Sequence, residues 1–360
     1  MKVNDEYQSI FPPDVYAVFD HGKRDVSSFP VAKGVYYKVN YSPGTDISRY
    51  KNIPFPTSYM AISSKYNFIG GYEHDSGGGL LHVADHHISP GKKQWTWGHG
   101  EFGRAWDRNL TDEDGPYIEL MTGIYTDNQP DFSWIQPFEE KTFVQYFMPY
   151  REVGVVKNAT KEAVVGVEYS GTEAVIKLHV TSAYDKVKVA LLQQKKELVS
   201  EEINIGPSNP FLKTVMLPHA VAPEEIQVVV TDVETGKILV SYVHQEAIEQ
   251  EMPVPAQAAK RPQEVENNEQ LYLMGLHLEQ YRHATYKATD YYEEAIRRDE
   301  KDVRNNNALG LWNLRRGKFE KAEPYFKKAI ATLTQRNPNP YDGEPYYNLG
   351  WSLKMQGVSS

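Results

Sequence analysis

The spacing of apolar residues changes once along the chain, and this change determines the broad architecture. Up to about residue 245, short apolar and aromatic runs alternate with polar residues between Gly, Pro and Asn turns. From residue 269 onward, apolar and small residues recur at helical spacing. A period of two predicts strands, whereas a period near 3.6 predicts helices. We therefore predict a multidomain chain of β plus α class, with antiparallel β-sandwiches followed by helices.

Composition divides this pattern into four parts. Residues 1–152 are rich in Tyr, Trp, Gly and Pro, and they predict an antiparallel β-domain. Residues 153–245 alternate more regularly, which predicts a small immunoglobulin-like β-sandwich serving as a spacer, with an extension of the first domain as the alternative. Residues 246–268 are rich in Pro, Ala, Glu and Gln, as linkers are. Residues 269–360 form the helical part.

Bulk properties narrow the classes of partner and compartment. The chain has 360 residues, a net charge of −9 and no cysteine. An acidic chain without a basic tract argues against a nucleic-acid partner, and the absence of Cys removes disulfides and thiolate chemistry. The N-terminal sequence MKVNDEYQSIFPPD has no apolar signal-peptide core, and no long apolar run predicts a membrane span. We expect a cytoplasmic protein without a membrane partner.

The stretch Leu80–Trp134 combines tryptophans and histidines with carboxylates and arginines between Gly and Pro turns. Flat aromatic faces beside such polar groups suit a sugar-binding cleft, because the rings stack on a pyranose while polar groups pair with its hydroxyls. The alternative is a Tyr/Trp-rich β-domain whose polar groups serve turns. The candidate substrate-binding residues are His86, Trp95, Trp97, Arg104, Trp106 and Asp107.

Two features of this stretch each allow more than one interpretation. Trp95 and Trp97 lie two residues apart and therefore face the same way on a strand, either as a stacking platform or as core. The sequence HVADHH suggests a metal site. However, His82 and His86 on one strand would lie about 13 Å apart, which is too far for both to bind one metal ion. We therefore predict no metal and no cofactor.

The helical part resembles the tetratricopeptide repeat. Small residues such as Gly275 and Gly310 stand where paired helices touch, and Tyr292 and Phe326 stand where large residues interlock. An unrelated helical hairpin is the alternative. The resemblance implies that the helices recruit a protein partner. Its third copy stops after about one helix, so we expect a fragment of a longer protein.

The first domain resembles two families in its motifs. The segment YIELMTGIYTDNQPDFSWIQPFEEKTFVQYFMPY is similar to the closing strands of the galactose-mutarotase-like superfamily. More narrowly, HVADHH, WGHG, GRAWDRNLTDEDGPY and TDNQPDFSW resemble a bacterial domain family of unknown function, number 5107, which is commonly joined to tetratricopeptide repeats. A complete mutarotase-like sandwich needs about twice this length, so we expect the first domain to be incomplete at its N-terminus.

The superfamily resemblance implies a role for Glu119 as general base in a carbohydrate-processing enzyme, either a cofactor-independent sugar epimerase or a glycosidase. Glu101 is a second carboxylate that would open the glycosidase chemistry. The family's upstream histidine acid has no match, and His21 stands in a different context. The alternative function is a non-catalytic scaffold, in which the repeats bind protein and the β-domain is structural or holds a glycan.

Overall fold

The computed structural model describes residues 1–125, 135, 138–220, 222–244, 251–280 and 285–358. These residues form two compact units, 1–256 and 257–360. The prediction of antiparallel β-sheets followed by helices is confirmed. Within the described ranges, no helix is long and apolar enough to cross a membrane.

Two facing sheets make up the first β-sandwich. Its strands are β1 (Tyr7–Ile10), β2 (Ala17–Phe19), β3 (Val26–Ser28), β4 (Val31–Ala32), β5 (Val35–Tyr36), β6 (Val39–Asn40), β7 (Thr45–Asp46), β8 (Thr57–Ala61), β9 (Phe68–Glu73), β10 (Gly78–Ala84), β11 (Gly91–Thr96), β12 (Ile118–Gly123) and β13 (Gln145–Arg151). One sheet has the order β1-β9-β10-β13 and the other β12-β11-β8-β2-β3. The pairs β4-β7 and β5-β6 form small ribbons, and Tyr50–Asn52 is a 3₁₀ helix.

The stretch Gly98–Pro116 contains helix α1 (Glu101–Thr111). Its buried positions are Gly103 and Asp107, which lie one helical turn apart. A Cβ atom on Gly103 would lie 2.1 Å from the Gly98 carbonyl oxygen, so only glycine lets the helix approach the end of β11 this closely. The apolar residues at helical spacing, Phe102, Trp106 and Leu110, are exposed, so the apolar stripe of α1 does not mark its buried face.

A second sandwich follows within the same unit. Its strands are β14 (Asn158–Ala159), β15 (Ala163–Ser170), β16 (Glu173–Val180), β17 (Tyr184–Gln193), β18 (Lys196–Ile205), β19 (Phe211–Met216), β20 (Ile226–Asp232) and β21 (Ile238–Val243), with Pro223–Glu225 as a 3₁₀ helix. The sheets have the orders β14-β15-β16-β19 and β18-β17-β20-β21. Strand β20 shows the period-two pattern clearly, because Ile226, Val228 and Val230 are fully buried while the residues between them are not.

The two sandwiches share a hydrophobic core. One face of the sheet containing β9, β10 and β13 contributes Phe68, Leu81 and Met148, which pack in the same cluster as Val156 and Val164. The predicted spacer is therefore built onto the first sandwich, and both belong to one compact unit.

The second unit consists of antiparallel helical pairs. Its helices are α2 (Asn268–Gln280), α3 (Ala288–Arg298), α4 (Val303–Leu314), α5 (Phe319–Thr334) and α6 (Glu344–Met355), preceded by the 3₁₀ helix Pro262–Glu264. A Cβ atom on Gly275 would lie 2.4 Å from the ring of Tyr292, and one on Gly310 would lie 2.4 Å from the ring of Phe326. The same glycine-to-aromatic contact therefore joins α2 to α3 and α4 to α5.

A buried asparagine lies near the start of α4. Asn306 is buried, and its Nδ2 donates to the carbonyl oxygens of Glu300 at 3.0 Å and Asp302 at 2.7 Å. The side-chain amide therefore satisfies two carbonyl groups at the turn that leads into α4.

Candidate functional site

Strands β11 and β12 bring the predicted base next to a predicted stacking residue. Trp95 lies directly opposite Glu119 in the antiparallel register, and Lys93 lies opposite Met121. Directly opposed residues project from the same face of a sheet, as do residues two apart on one strand. Lys93, Trp95 and Glu119 therefore share one face, on which Glu119 is exposed and Trp95 is partly buried.

A histidine from a distant turn joins this face. The Nζ atom of Lys93 lies 3.0 Å from Nδ1 of His21. Burial lowers the pKa of Lys93, and the nearby Glu119 carboxylate opposes that shift. Burial and the neighbouring Lys93 charge lower the pKa of His21, while Asp20 opposes them. A carboxylate, an amine and an imidazole with interacting charges are thus assembled on one face.

The sequence analysis did not identify the contact between Lys93 and His21. The two residues are 72 positions apart, and the chain between them gives no local signal for the contact. The alternation of Lys93 with Trp95 was the available clue, because it places a lysine on the tryptophan face.

The predicted tryptophans form a layered cluster. The rings of Trp95 and Trp97 meet edge to face with centroids 5.5 Å apart, and Trp97 stacks on Trp106 at 5.2 Å with an interplanar angle of 13°. Nε1 of Trp97 donates to the Tyr117 hydroxyl at 3.0 Å. Trp97 therefore forms the inner layer, whereas Trp106 is 40% exposed on α1. Trp95 and Trp97 are both partly buried, so the choice between platform and core for these two rings stays a prediction.

Arg104 and Asp107 line a separate cleft beside α1. This cleft has a volume of about 580 Å³ and is lined by Val3, Asn4, Asp5, Glu6, Tyr50, Asp75, Arg104, Asp107, Arg108, Gly115 and Pro116. The lining includes none of Trp95, Trp97 and Glu119. The structure therefore distributes the predicted substrate-binding residues over two places.

Polar groups in the cleft differ in how well they are satisfied. Nε of Arg104 donates to the His99 carbonyl oxygen at 2.9 Å. Asp107 is 3% exposed, neither of its carboxylate oxygens accepts a hydrogen bond, and burial raises its pKa.

Glu101 is exposed in the first turn of α1, where a negative charge suits the positive end of the helix dipole.

His86 lies in a turn and not on the strand that the sequence predicted. Strand β10 ends at Ala84, so the strand spacing used to exclude a metal does not apply to His86. Its Nδ1 lies 2.8 Å from Oδ1 of Asn67, and the carboxylate of Asp85 accepts the backbone N–H of His87 at 2.9 Å. In the described part of the chain, Asp85, His86 and His87 are the group that could hold a metal, with ligand atoms within 4.8 Å of one another.

His82, another histidine of the HVADHH motif, lies in the interior of the first sandwich. His82 on β10 is buried and stacks on Phe147 with ring centroids 4.6 Å apart. Burial lowers the pKa of His82, while contacts with Leu120 and Gln145 oppose the shift.

These features define a class of protein, in which two β-sandwiches with a shared core precede a helical unit in the chain. Residues 1–152 match the family described as a domain of unknown function, DUF5107. Residues 158–242 match the second domain of YphG-like proteins. The resemblance to family 5107, predicted from sequence motifs, is confirmed.

Two solved structures illustrate more distant similarity. A TPR-domain containing protein from Parabacteroides distasonis is 14% identical over 99% of this chain and 46% of its own, with a TM-score of 0.27. A β-glucuronidase from Ruminococcus gnavus is 10% identical over 67% of this chain and 45% of its own, with a TM-score of 0.20. The chain thus spans less than half the length of either structure. TM-scores this low support no conclusion about fold or activity.

Proposed function

We propose that the first sandwich binds carbohydrate on the face that carries Trp95 and Glu119, and that it processes the sugar there without a cofactor. The main support for this proposal is that Trp95 lies directly opposite Glu119 on the neighbouring strand. An indole ring beside a carboxylate offers a stacking surface and a hydrogen-bond acceptor at the distance of neighbouring strands.

The chemistry proposed for this face is acid–base catalysis of anomer exchange or a related epimerisation. Glu119 takes the proton of the anomeric hydroxyl, the bond between the anomeric carbon and the ring oxygen breaks, and the ring oxygen receives a proton. The pair formed by Lys93 and His21 supplies that proton, because their side-chain nitrogens lie 3.0 Å apart and burial lowers the pKa of Lys93, which makes its ammonium group a stronger acid. Reclosure on the other face of the carbonyl returns both protons.

The finer architecture is also proposed. We assign a mutarotase-like fold to the first sandwich and an immunoglobulin-like fold to the second, in keeping with their paired antiparallel sheets. We assign tetratricopeptide repeats to the helices, because Gly275 and Gly310, 35 residues apart, make the same contact with Tyr292 and Phe326.

A second candidate function is a non-catalytic scaffold that binds glycan and protein. Its support is the aromatic surface of α6, where Tyr346, Tyr347 and Trp351 are 41%, 67% and 40% exposed. Exposed aromatic side chains are enriched at protein interfaces, so the helical unit is the proposed place for a protein partner.

The two functions separate in one set of measurements on the chain. Calorimetric titration with monosaccharides and short glycans measures binding, and exchange spectroscopy by nuclear magnetic resonance measures anomer interconversion. We expect Trp95→Ala to weaken binding about tenfold or more, since stacking on an aromatic ring contributes on the order of 1–3 kcal/mol. We expect Glu119→Gln to retain binding and lose turnover.

The control is Glu113→Gln, which changes an exposed carboxylate of the turn after α1. Binding by the wild type without anomer interconversion above the uncatalysed rate would favour the glycan-binding scaffold. Turnover that Glu119→Gln leaves unchanged would contradict the role of Glu119 as base. The carbohydrate proposal fails if no sugar binds to the wild type.

A further inference from the structure

An uncompensated carboxylate lies in the cleft beside α1. Asp107 is 97% removed from solvent, and both of its oxygens lack a hydrogen-bond donor, although Arg104 and Arg108 line the same cleft. A buried charge is strongly disfavoured unless a partner compensates it. The position of Asp107 in the lining of the cleft means that a ligand can supply that partner.

The cleft as a whole carries a negative charge. Its lining has four carboxylates, from Asp5, Glu6, Asp75 and Asp107, and two guanidinium groups, which gives a formal charge of −2. Glu73 stands beside this lining, where the backbone N–H of Asn4 donates to one of its oxygens at 3.2 Å. Its other oxygen is buried without a partner, and burial raises its pKa to about 7.

The carboxylates do not converge on one point. Within the described residues, the group of ligand atoms close enough for a metal is the turn Asp85–His87, and it includes no residue of the cleft. Some lining carboxylates are already engaged at the rim, because Nδ2 of Asn4 donates to Asp75 at 2.8 Å and Nζ of Lys51 lies 3.3 Å from Glu6. Separated acceptors match a ligand with separated positive groups.

We propose that this cleft binds a small aliphatic diamine or polyamine, with one ammonium group on Asp107 and a second on the acidic rim. Two ammonium groups would neutralise the formal charge of the lining. The methylene chain would lie against Val3, Tyr50 and Pro116, which supply the apolar part of the lining. The volume of about 580 Å³ is within the ordinary range for small-molecule sites.

An ammonium group suits Asp107 better than a sugar hydroxyl does. Both groups donate hydrogen bonds, but only the ammonium group brings the positive charge that a desolvated carboxylate lacks, and charge-assisted hydrogen bonds are the stronger ones. The site is independent of the proposed carbohydrate function, because the tryptophan face and Glu119 lie outside the cleft.

The test is calorimetric titration of the whole chain with putrescine and with spermidine. We expect saturable binding that Asp107→Asn weakens at least tenfold. Asp112→Asn is the matched control, because Asp112 is exposed just after α1 and lies outside the cleft, and asparagine has the same shape as aspartate. Thermal unfolding of both variants verifies folding, and we expect Asp107→Asn to fold because it removes an uncompensated buried charge.

The pH dependence gives a second readout. Burial raises the pKa of Asp107, so its carboxyl group becomes neutral as the pH falls through that raised value. The amines remain charged over this range, so diamine affinity should fall as the pH is lowered. This loss should be smaller in Asp107→Asn, where Glu73 and the rim carboxylates of Asp5, Glu6 and Asp75 alone are protonated. Three results would overturn the proposal: no diamine binding, equal binding in wild type and Asp107→Asn, or Asp107-dependent binding of Ca²⁺, Mg²⁺ or glucose in place of the amine.

Discussion

The two β-sandwiches of the first unit have similar architectures but bury different residues. In the second sandwich the large core cluster is entirely apolar, and its buried polar residues among those described are His179 and Asp232. Asp232 serves a turn, where its carboxylate accepts the backbone N–H of Glu234 at 3.1 Å. Apart from His179, whose buried Nδ1 has no hydrogen-bond partner, the interior of the second sandwich is explained by hydrophobic packing and turn chemistry.

The first sandwich buries charged and amide groups in its strands. Lys92, Lys93 and Gln94 are consecutive buried residues of β11, and burial lowers the pKa of Lys92 to about 8. Gln94 and Asp107 each have buried side-chain atoms without hydrogen-bond partners. Burial of such groups opposes folding, so their concentration near Trp95 and the cleft indicates that this sandwich carries the sites.

The largest expected effect tests the apolar interior of the second sandwich. Leu178 on β16 is fully buried in the core cluster. We expect Leu178→Ala to lower the free energy of unfolding by about 3 kcal/mol, because the substitution removes buried apolar surface and leaves a cavity. Urea denaturation followed by circular dichroism measures the change.

The control for this substitution is Leu212→Ala on the neighbouring strand β19, where the side chain is 59% exposed. We expect less than about 1 kcal/mol there, because surface substitutions seldom cost more. Equal losses in the two variants would contradict the assignment of stability to the apolar core.

The next prediction is an increase in the free energy of unfolding, and it concerns the first sandwich. Burial, with the Asp75 and Glu6 charges adding to it, raises the pKa of Glu73 from 4.5 to about 7, while the Asn4 N–H opposes the shift. The folded state therefore binds this proton more tightly than the unfolded state does. The resulting destabilisation is absent below pH 4.5, grows between pH 4.5 and 7, and is complete above pH 7.

Glu73→Gln should consequently raise the free energy of unfolding at pH 8, by about 3 kcal/mol at most, and leave it nearly unchanged at pH 4. Urea denaturation at the two pH values measures the difference. Glu234→Gln, in an exposed turn of the second sandwich, removes one charge of the same sign and serves as control. A loss of stability in Glu73→Gln at pH 8 would show that the charge is compensated in the folded protein.

The difference between the sandwiches also explains which features the sequence could reveal. Regular alternation predicts strands such as β20, and two-residue spacing places Trp95 and Trp97 together. Helical spacing likewise identifies Gly275 and Gly310 as contact positions. In each case one physical requirement, the burial of apolar surface or close backbone approach, determines the residue type.

The remaining features lack such a local signal. Helix α1 follows the opposite rule, because its apolar residues at helical spacing, Phe102, Trp106 and Leu110, are exposed while Gly103 and Asp107 are buried. The contact of His21 with Lys93 joins distant parts of the chain. The cleft is assembled from the N-terminal segment, the 3₁₀ helix at Tyr50, the turn at Asp75 and α1. Polar groups brought together by tertiary folding leave no periodic pattern in the sequence.

The smallest expected effect concerns charge on the surface of the second sandwich. Nζ of Lys177 lies 3.1 Å from Oε1 of Glu168 across β15 and β16, and the Glu168 side chain is 66% exposed. A double-mutant cycle with Glu168→Gln and Lys177→Met should give a coupling of about 0.2–1 kcal/mol that shrinks in 1 M salt, because exposed ion pairs are solvated and screened. A coupling above about 2 kcal/mol would mean that surface charge rivals the apolar core in this sandwich. Both sandwiches would then depend on charged groups for stability. They would differ only in whether those groups are buried, as in the first sandwich, or exposed, as in the second.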